Sequence, residues 1–206
     1  MHIEFLVEEI STEQALYHLI PRIIGGDVSF NIHSYQGKQD FLKCLPSRLE
    51  GYSAWIPNDW GIVVLIDEDR QNCKTLKKLL EGAAERAGLA TKSSVGPSSS
   101  FNVLNRVAIE ELEAWFFGDV IALGEAFPRI SEDLDKKARY RDPDAIAGGT
   151  WEALERVMQR AGYFQGGLAK IEAAREISQR MEPHRNRSTS FCRFRDGLLE
   201  MVGQCS

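Results

Sequence analysis

The chain has 206 residues, of which 43% are hydrophobic, 27% charged and 9% aromatic, and its formal net charge is −5. This is the composition of an ordinary globular protein, and it excludes disordered, fibrous and disulfide-scaffold chains. No stretch approaches the roughly eighteen consecutive apolar residues of a membrane span. The start, Met1-His2-Ile3-Glu4-Phe5-Leu6-Val7-Glu8, lacks the basic segment and apolar core of an export signal, so a cytoplasmic chain with no membrane partner is expected.

In chain order, residues 3–7 read as a short strand, and Ser11-Thr12-Glu13 reads as the cap of a helix with Ala15, Leu16, Leu19, Ile20 and Ile23 on one face. Gly25-Gly26 stops that helix, and residues 28–35 alternate as a second strand. Gln36-Gly37-Lys38 turns into a helix carrying Phe41, Leu42 and Leu45, followed by a looser stretch with Pro46, Pro57 and Trp60. Gly61-Ile62-Val63-Val64-Leu65-Ile66 is continuously apolar and β-branched, the mark of a strand buried on both faces, and it runs straight into Asp67-Glu68-Asp69.

An amphipathic helix over residues 73–86 closes at Gly88, and a Ser/Gly/Pro-rich loop spans residues 93–100. A fourth strand is predicted over residues 101–107, and a helix over residues 109–118 with Leu112, Trp115 and Phe116 on its apolar side. Beyond Pro128 only helices are predicted, over residues 151–161, 168–181 and 191–202, after a polar segment at 130–150. Strand and helix alternate four times, which predicts an α/β fold: a mostly parallel four-stranded sheet flanked by helices. Two regions are expected, residues 1–128 forming the α/β domain and residues 129–206 an all-helical extension packed on it.

The cysteines Cys44, Cys73, Cys192 and Cys205 are scattered without Cys-x-x-Cys spacing, so reduced, mostly buried thiols are expected rather than zinc. The charge is uneven. Residues 1–128 carry 11 basic and 18 acidic side chains, and residues 129–206 carry 14 and 12. Arg180, Arg185, Arg187, Arg193 and Arg195 crowd sixteen residues that hold a single acid, Glu182. Such a tail could face an acidic site or simply solvate helix faces.

Ligands of parallel α/β sheets gather at the carboxyl ends of the strands, so acids placed there carry special weight. Glu8 and Glu9 end the first strand, Asp67 and Asp69 the most buried one, and Glu110, Glu111 and Glu113 follow the fourth. Asp67 and Asp69, two apart, can face one side while Glu68 faces away. Carboxylates that close repel unless a cation neutralises them, and hard oxygen ligands suit Mg²⁺ or Mn²⁺. Taken alone, Asp-x-Asp is also a common helix-capping turn. On a helix Glu110 and Glu113 would share a face while Glu111 sides with Trp115; Glu111 is favoured as the acid that turns toward Asp67, although acids at a helix start also simply oppose its dipole.

Other chemistries find less support. His2, His18, His33 and His184 are isolated, no Gly-x-Ser-x-Gly elbow or Walker loop occurs, and Gly148-Gly149 and Gly166-Gly167 follow no strand. Trp115-Phe116-Phe117 suits a buried core better than a base-stacking platform.

Three blocks together, Phe5-Leu6-Val7-Glu8-Glu9-Ile10-Ser11, Val64-Leu65-Ile66-Asp67-Glu68-Asp69 and the run from Arg106 to Asp119, resemble the bacterial domain-of-unknown-function family 4276. Arg141-Asp142-Pro143, Gly166-Gly167-Leu168-Ala169-Lys170 and Asn186-Arg187-Ser188-Thr189-Ser190-Phe191 look like that family's later blocks. The resemblance implies a Toprim-like fold related to the overcoming-lysogenisation-defect nucleases, in which a glutamate after the first strand and an Asp-x-Asp after a later one hold Mg²⁺. It also implies a setting near ATPases in anti-phage loci. Most Toprim domains follow the first glutamate with glycine, whereas Glu9 stands there here, so whether Glu8 or Glu9 faces the metal is open.

The resulting expectation is a Mg²⁺- or Mn²⁺-dependent nuclease. Glu8, Asp67, Asp69 and Glu111 are its catalytic residues, and Glu9 and Glu113 are further candidate metal ligands. Arg106, Lys170, Arg187, Ser188 and Ser190 are candidate contacts to nucleic acid, DNA before RNA. The alternatives are an effector subunit, silent alone, that docks on an ATPase, and a nucleotide-processing enzyme using the same acids; a homodimer is a further option.

Overall fold

The computed structural model describes residues 1–96 and 99–203. Its sheet has four strands, β1 (His2–Val7), β2 (Ser29–Ser34), β3 (Trp60–Asp67) and β4 (Val103–Ala108), in the order β2-β1-β3-β4 with every pairing parallel. The chain moves outward from β1 to β2, then returns to the other side of β1 for β3 and β4. The strand order therefore reverses between β1 and β3, the point of an open parallel sheet beside whose carboxyl ends ligands bind.

Helices α1 (Ile10–Ile24), α2 (Lys38–Trp55) and α3 (Cys73–Arg86) follow the first three strands, and α4 (Glu113–Gly118) and α5 (Val120–Ala126) follow β4. After three 3-10 turns come α6 (Thr150–Arg160), α7 (Lys170–Ser178) and α8 (Thr189–Gly203). The period-two pleat sends alternate residues of β3 to opposite layers: Ile62, Val64 and Ile66 pack with Phe41, Leu45 and Leu49 of α2 and Leu76 and Leu80 of α3, and Val63 and Leu65 pack in the cluster of α1 and the later helices. That second layer joins Leu16, Leu19 and Ile20 of α1 to Ile177 of α7 and Phe191, Phe194 and Leu198 of α8 in one continuous core. The aromatic run is core as expected: Trp115 is fully buried, its ring centroid 5.1 Å from those of both Phe191 and Phe194, and its indole N–H donates to Ser190 Oγ at 3.0 Å.

Several local expectations are corrected. The stretch around Pro46 is not loose; α2 runs through it to Trp55, because Phe41, Leu45, Leu49 and Tyr52 form a buried stripe that outweighs the backbone hydrogen bond proline removes. Ser11 and Thr12 do not cap α1 but lie inside it and are buried, and the helix begins at Ile10 after Glu9. The helix expected over residues 109–118 forms only from Glu113. Glu110 takes a left-handed backbone with φ 59° and, with Glu111, belongs to the preceding turn, so Glu110 and Glu113 share no helical face. The three described cysteines, Cys44, Cys73 and Cys192, are free and half-buried rather than buried, and Cys205 lies outside the described residues. Among the described residues no helix is long and apolar enough to cross a membrane.

Within β1 the buried Glu4 carboxylate accepts hydrogen bonds from His2, Asn31, His33 and Tyr52. Burial opposes its charge, but these donors outweigh it and hold its pKa at about 2.

Candidate metal centre

Parallel pairing sets Val7 beside both Leu65 and Ser34, so the chain leaves β1 and β3 at nearly the same height and delivers Glu8 and Asp67 to one edge. The Asp67 backbone N–H donates to Glu8 Oε2 at 3.3 Å. The β2–α2 loop closes over this point. Gly37 N–H donates to the Glu8 carbonyl at 3.1 Å, with φ 88°, which glycine adopts without strain. The next residue, Lys38, reaches Asp69 Oδ2 and the Glu68 carbonyl with its ammonium. Asp69 and Glu110 are both left-handed, at φ 51° and 59°, and Asp69 N–H donates to the Glu110 carbonyl at 2.7 Å. Glu68 faces away from this edge, accepting from the backbone of Cys73 at 3.0 Å and of Glu110 at 3.2 Å. It thus ties the start of α3 to the turn after β4.

Three carboxyls form the inner set. Asp67 is 7% exposed and Glu113 2%. Burial raises the Asp67 pKa well above its usual value, and among its neighbours Glu113 acts most strongly, followed by Glu8, Glu9 and Asp69. Burial also raises Glu113 to about 7; Lys170, whose ammonium lies 4.0 Å from Glu113 Oε1, opposes this, and Glu111 and Glu9 reinforce it. Glu8 is likewise pushed up to about 7, chiefly by burial, with Lys38 opposing and Asp69 and Glu9 adding. At Lys170 burial works against the charge, but Glu113, Glu9, Glu111 and Asp67 outweigh it and leave its pKa raised. The edge is therefore short of positive charge, with more carboxylates than its two lysines offset.

Of the two first-strand glutamates, Glu8 is the one bonded to the end of β3. Glu9 accepts from Ser11 Oγ, although its charge still acts on Asp67, Glu113 and Lys170. Glu111, favoured from sequence, is turned elsewhere: its Oε2 accepts from Thr150 Oγ1 and Trp151 N–H, both at 2.9 Å. Helix α6 starts behind Gly149, which offers no capping side chain, so Glu111 fills that place from a distant segment. Glu113 stands against Asp67 instead, because the helix starts four residues later than the periodicity suggests. Beside the carboxyls lies a cleft of about 550 Å³ floored by Asp69, Glu110 and Glu111 and walled by Gly149, Trp151 and Glu152.

In chemistry this donor set fits a hard divalent cation, being all carboxylate and deficient in positive charge. In geometry it is not closed around one. Among the described residues no group of three or more His, Cys, Asp or Glu side chains is arranged to hold a metal ion. Seating one requires side-chain rotation, most simply of Glu8 away from the Asp67 N–H.

A family model described as Domain of unknown function (DUF4276) matches residues 3–199. The chain belongs to this family. No curated protein and no solved structure matches it.

In this DUF4276 chain the candidate nucleic-acid contacts scatter. Lys170 is at the carboxyl cluster, its ammonium 5.4 Å from the centre of the Trp151 ring. Arg106 lies on β4, donating to the carbonyls of Asn105 and Arg193, both at 3.0 Å. Arg187 sits apart at the end of α4, its backbone N–H on the Gly118 carbonyl and its guanidinium 3.3 Å from Asp135. Ser188 and Ser190 are buried; both hydroxyls donate to Asp144, at 2.7 and 3.1 Å, and Ser190 Oγ also accepts from Trp115. Their role in the fold is to anchor the start of α8. Lys38 and Trp151 were missed from sequence. A lysine just after a loop glycine and a tryptophan opening a helix carry no periodic signal of a site.

Proposed function

We propose that this DUF4276 member is a Mg²⁺- or Mn²⁺-dependent phosphodiesterase acting on nucleic acid, DNA before RNA. The observation that supports it most is the inner set of Glu8, Asp67 and Glu113, raised in pKa and crowded at the point where strand order reverses. A Toprim-like ancestry, implied by the sequence blocks, agrees with it, and an anti-phage setting is part of the same reading.

In this reading Asp67, Glu8 and Glu113 hold the cation. Glu9 and Asp69 add negative charge around them, and Lys38 fixes the position of Asp69. Lys170, beside Glu113 and over the Trp151 ring, neutralises a phosphate oxygen as the substrate enters. Glu111 and Glu68 act as positioning residues, holding the start of α6 and the β4–α4 turn. When bound, the cation would supply a Lewis acid and a water of lowered pKa. Incubation with plasmid, single-stranded DNA and RNA in Mn²⁺ tests the proposal. Cleavage by the wild type that falls at least about 10²-fold in Asp67→Ala is expected, and equal activity of the two proteins would refute it.

A second reading, a partner-activated effector that docks on an ATPase, has an observation of its own. The acids are not closed around an ion as they stand, with Glu8, Asp69 and Glu111 each engaged by another group. A partner that rearranges this edge would complete it. Co-purification with an ATPase and cleavage only in its presence would favour this reading, and robust cleavage by the chain alone would remove it.

A further inference from the structure

β4 is an edge strand, and its outer side is only partly covered. The segment before it bridges at Thr91 and Val103, and past that point the edge faces a groove of about 780 Å³ between α3 and α8. Six cations border this groove: Lys74, Lys77 and Lys78 from α3, Lys92 from the loop after it, Arg106 from β4 and Arg193 from α8. Asp196 is the one acid among the lining residues. Lys77 pairs with Glu81 and Lys92 with Glu200, but Lys74, Lys78, Arg106 and Arg193 form no ion pair among the described residues.

Two details set the groove apart from a merely solvated face. Arg106 is held largely out of water, and burial lowers its pKa. Its guanidinium rests on carbonyls rather than a carboxylate, in space that α8 leaves only because residue 197 is glycine; a Cβ there would collide with it. Asn105 is fully buried on the same strand, and neither its amide nitrogen nor its oxygen has a hydrogen-bond partner of normal geometry, although the amide stands beside Glu81. Four of the six bordering cations are left without an ion-pair partner among the described residues. The groove neighbours the turn after β4: Cys73 and Ile109 line it, and Glu68 bonds the backbone of Cys73 and of Glu110, the residue after Ile109.

We infer that this groove seats the phosphates of a nucleic-acid strand, Lys74, Lys78, Arg106 and Arg193 tracking the backbone on its way to the carboxyl cluster. A chain of net charge −5 draws no polyanion by its overall field, so a local cation track has to do so. The inference gives a strand path to the hydrolysis proposed above and rests on that reading for its direction, but binding is measurable without cleavage.

The test is fluorescence anisotropy of a labelled 20-nucleotide single-stranded DNA with the full chain in EDTA, across a salt series. Binding that weakens with salt is expected. The double variant Lys74→Glu/Lys78→Glu and the single variant Arg193→Glu should each lose affinity about tenfold or more and flatten the salt slope by about one unit per lost contact. All three positions are exposed, so the fold should survive, and circular dichroism verifies it. Lys136→Glu, on a 75% exposed side chain away from the groove, should bind like wild type. Unchanged affinity in the groove variants, or an equal loss in Lys136→Glu, overturns the inference. So does a wild type that binds no oligonucleotide at low salt, which would leave the open edge to a strand added by a protein partner. A wild type that binds through these residues but cuts nothing sustains the groove and removes the hydrolysis, so the two failures are distinguishable.

Discussion

The Asp67 backbone N–H donates to the Glu8 carboxylate at 3.3 Å, stitching the end of β3 to the end of β1 at the point where the strand order reverses. The bond draws two acids together on a buried edge, and Glu113 joins them from the start of α4.

Glu113 and Glu111 separate cleanly. Glu113→Gln should abolish Mn²⁺ binding in calorimetry, since it removes the charge that acts most strongly on Asp67. Glu111→Gln should retain binding and lose stability by about 1 kcal/mol, the cost of weakening a helix cap. Loss of Mn²⁺ binding in Glu111→Gln with retention in Glu113→Gln would reverse the assignment.

The pH dependence of the metal-free protein has a definite sign. Glu8 and Glu113 titrate near 7 in the folded chain against 4.5 for a free glutamate. Their contribution to stability is complete below about pH 4.5 and is lost as pH rises through about 7. Glu4, lowered to about 2, behaves oppositely, but its contribution disappears only as pH falls from about 4.5 toward 2. In EDTA the melting temperature should therefore fall between about pH 5.5 and pH 8, and Glu113→Gln should lessen that fall. Thermal unfolding of both proteins at the two pH values decides it; a parallel decline in the variant would count against the buried acid.

Asp119 anchors the segment that leads into α8. Its buried carboxylate accepts from Arg185 at 2.7 and 3.0 Å and from the backbone of Ala122 and Glu182. Asp119→Ala leaves two backbone N–H groups without their acceptor, whereas the Arg185 guanidinium, 35% exposed, stays partly solvated, so the change should cost about 2–3 kcal/mol in denaturant unfolding. A loss below about 1 kcal/mol would mean that the pair is solvent-screened.

Glu110 holds a left-handed backbone that its side chain does not favour. Glu110→Gly should leave stability unchanged or raise it by up to about 1 kcal/mol, the gain from removing the Cβ offset by the freer unfolded chain. A marked loss would show that the side chain itself supports the turn.

The fold was largely legible because its signals are local. The apolar run before Asp67 marked a doubly buried strand, and the periodicity of residues 73–86 matched α3. What escaped depends on distant partners. The α6 cap comes from Glu111, and no spacing within either segment reveals that bond. The left-handed turn at Glu110 hid the late start of α4 and so favoured Glu111 over Glu113. Lys74, Lys77 and Lys78 did carry a readable signal, three cations on one helix face, but their meaning depends on α8 closing the other side of the groove.

The most direct measurement is the anomalous scattering of a crystal soaked in Mn²⁺. A peak within coordination distance of Asp67, Glu8 and Glu113 is the predicted result. Full occupancy of Mn²⁺ elsewhere with nothing between these three carboxyls would contradict the metal centre and the hydrolysis built on it.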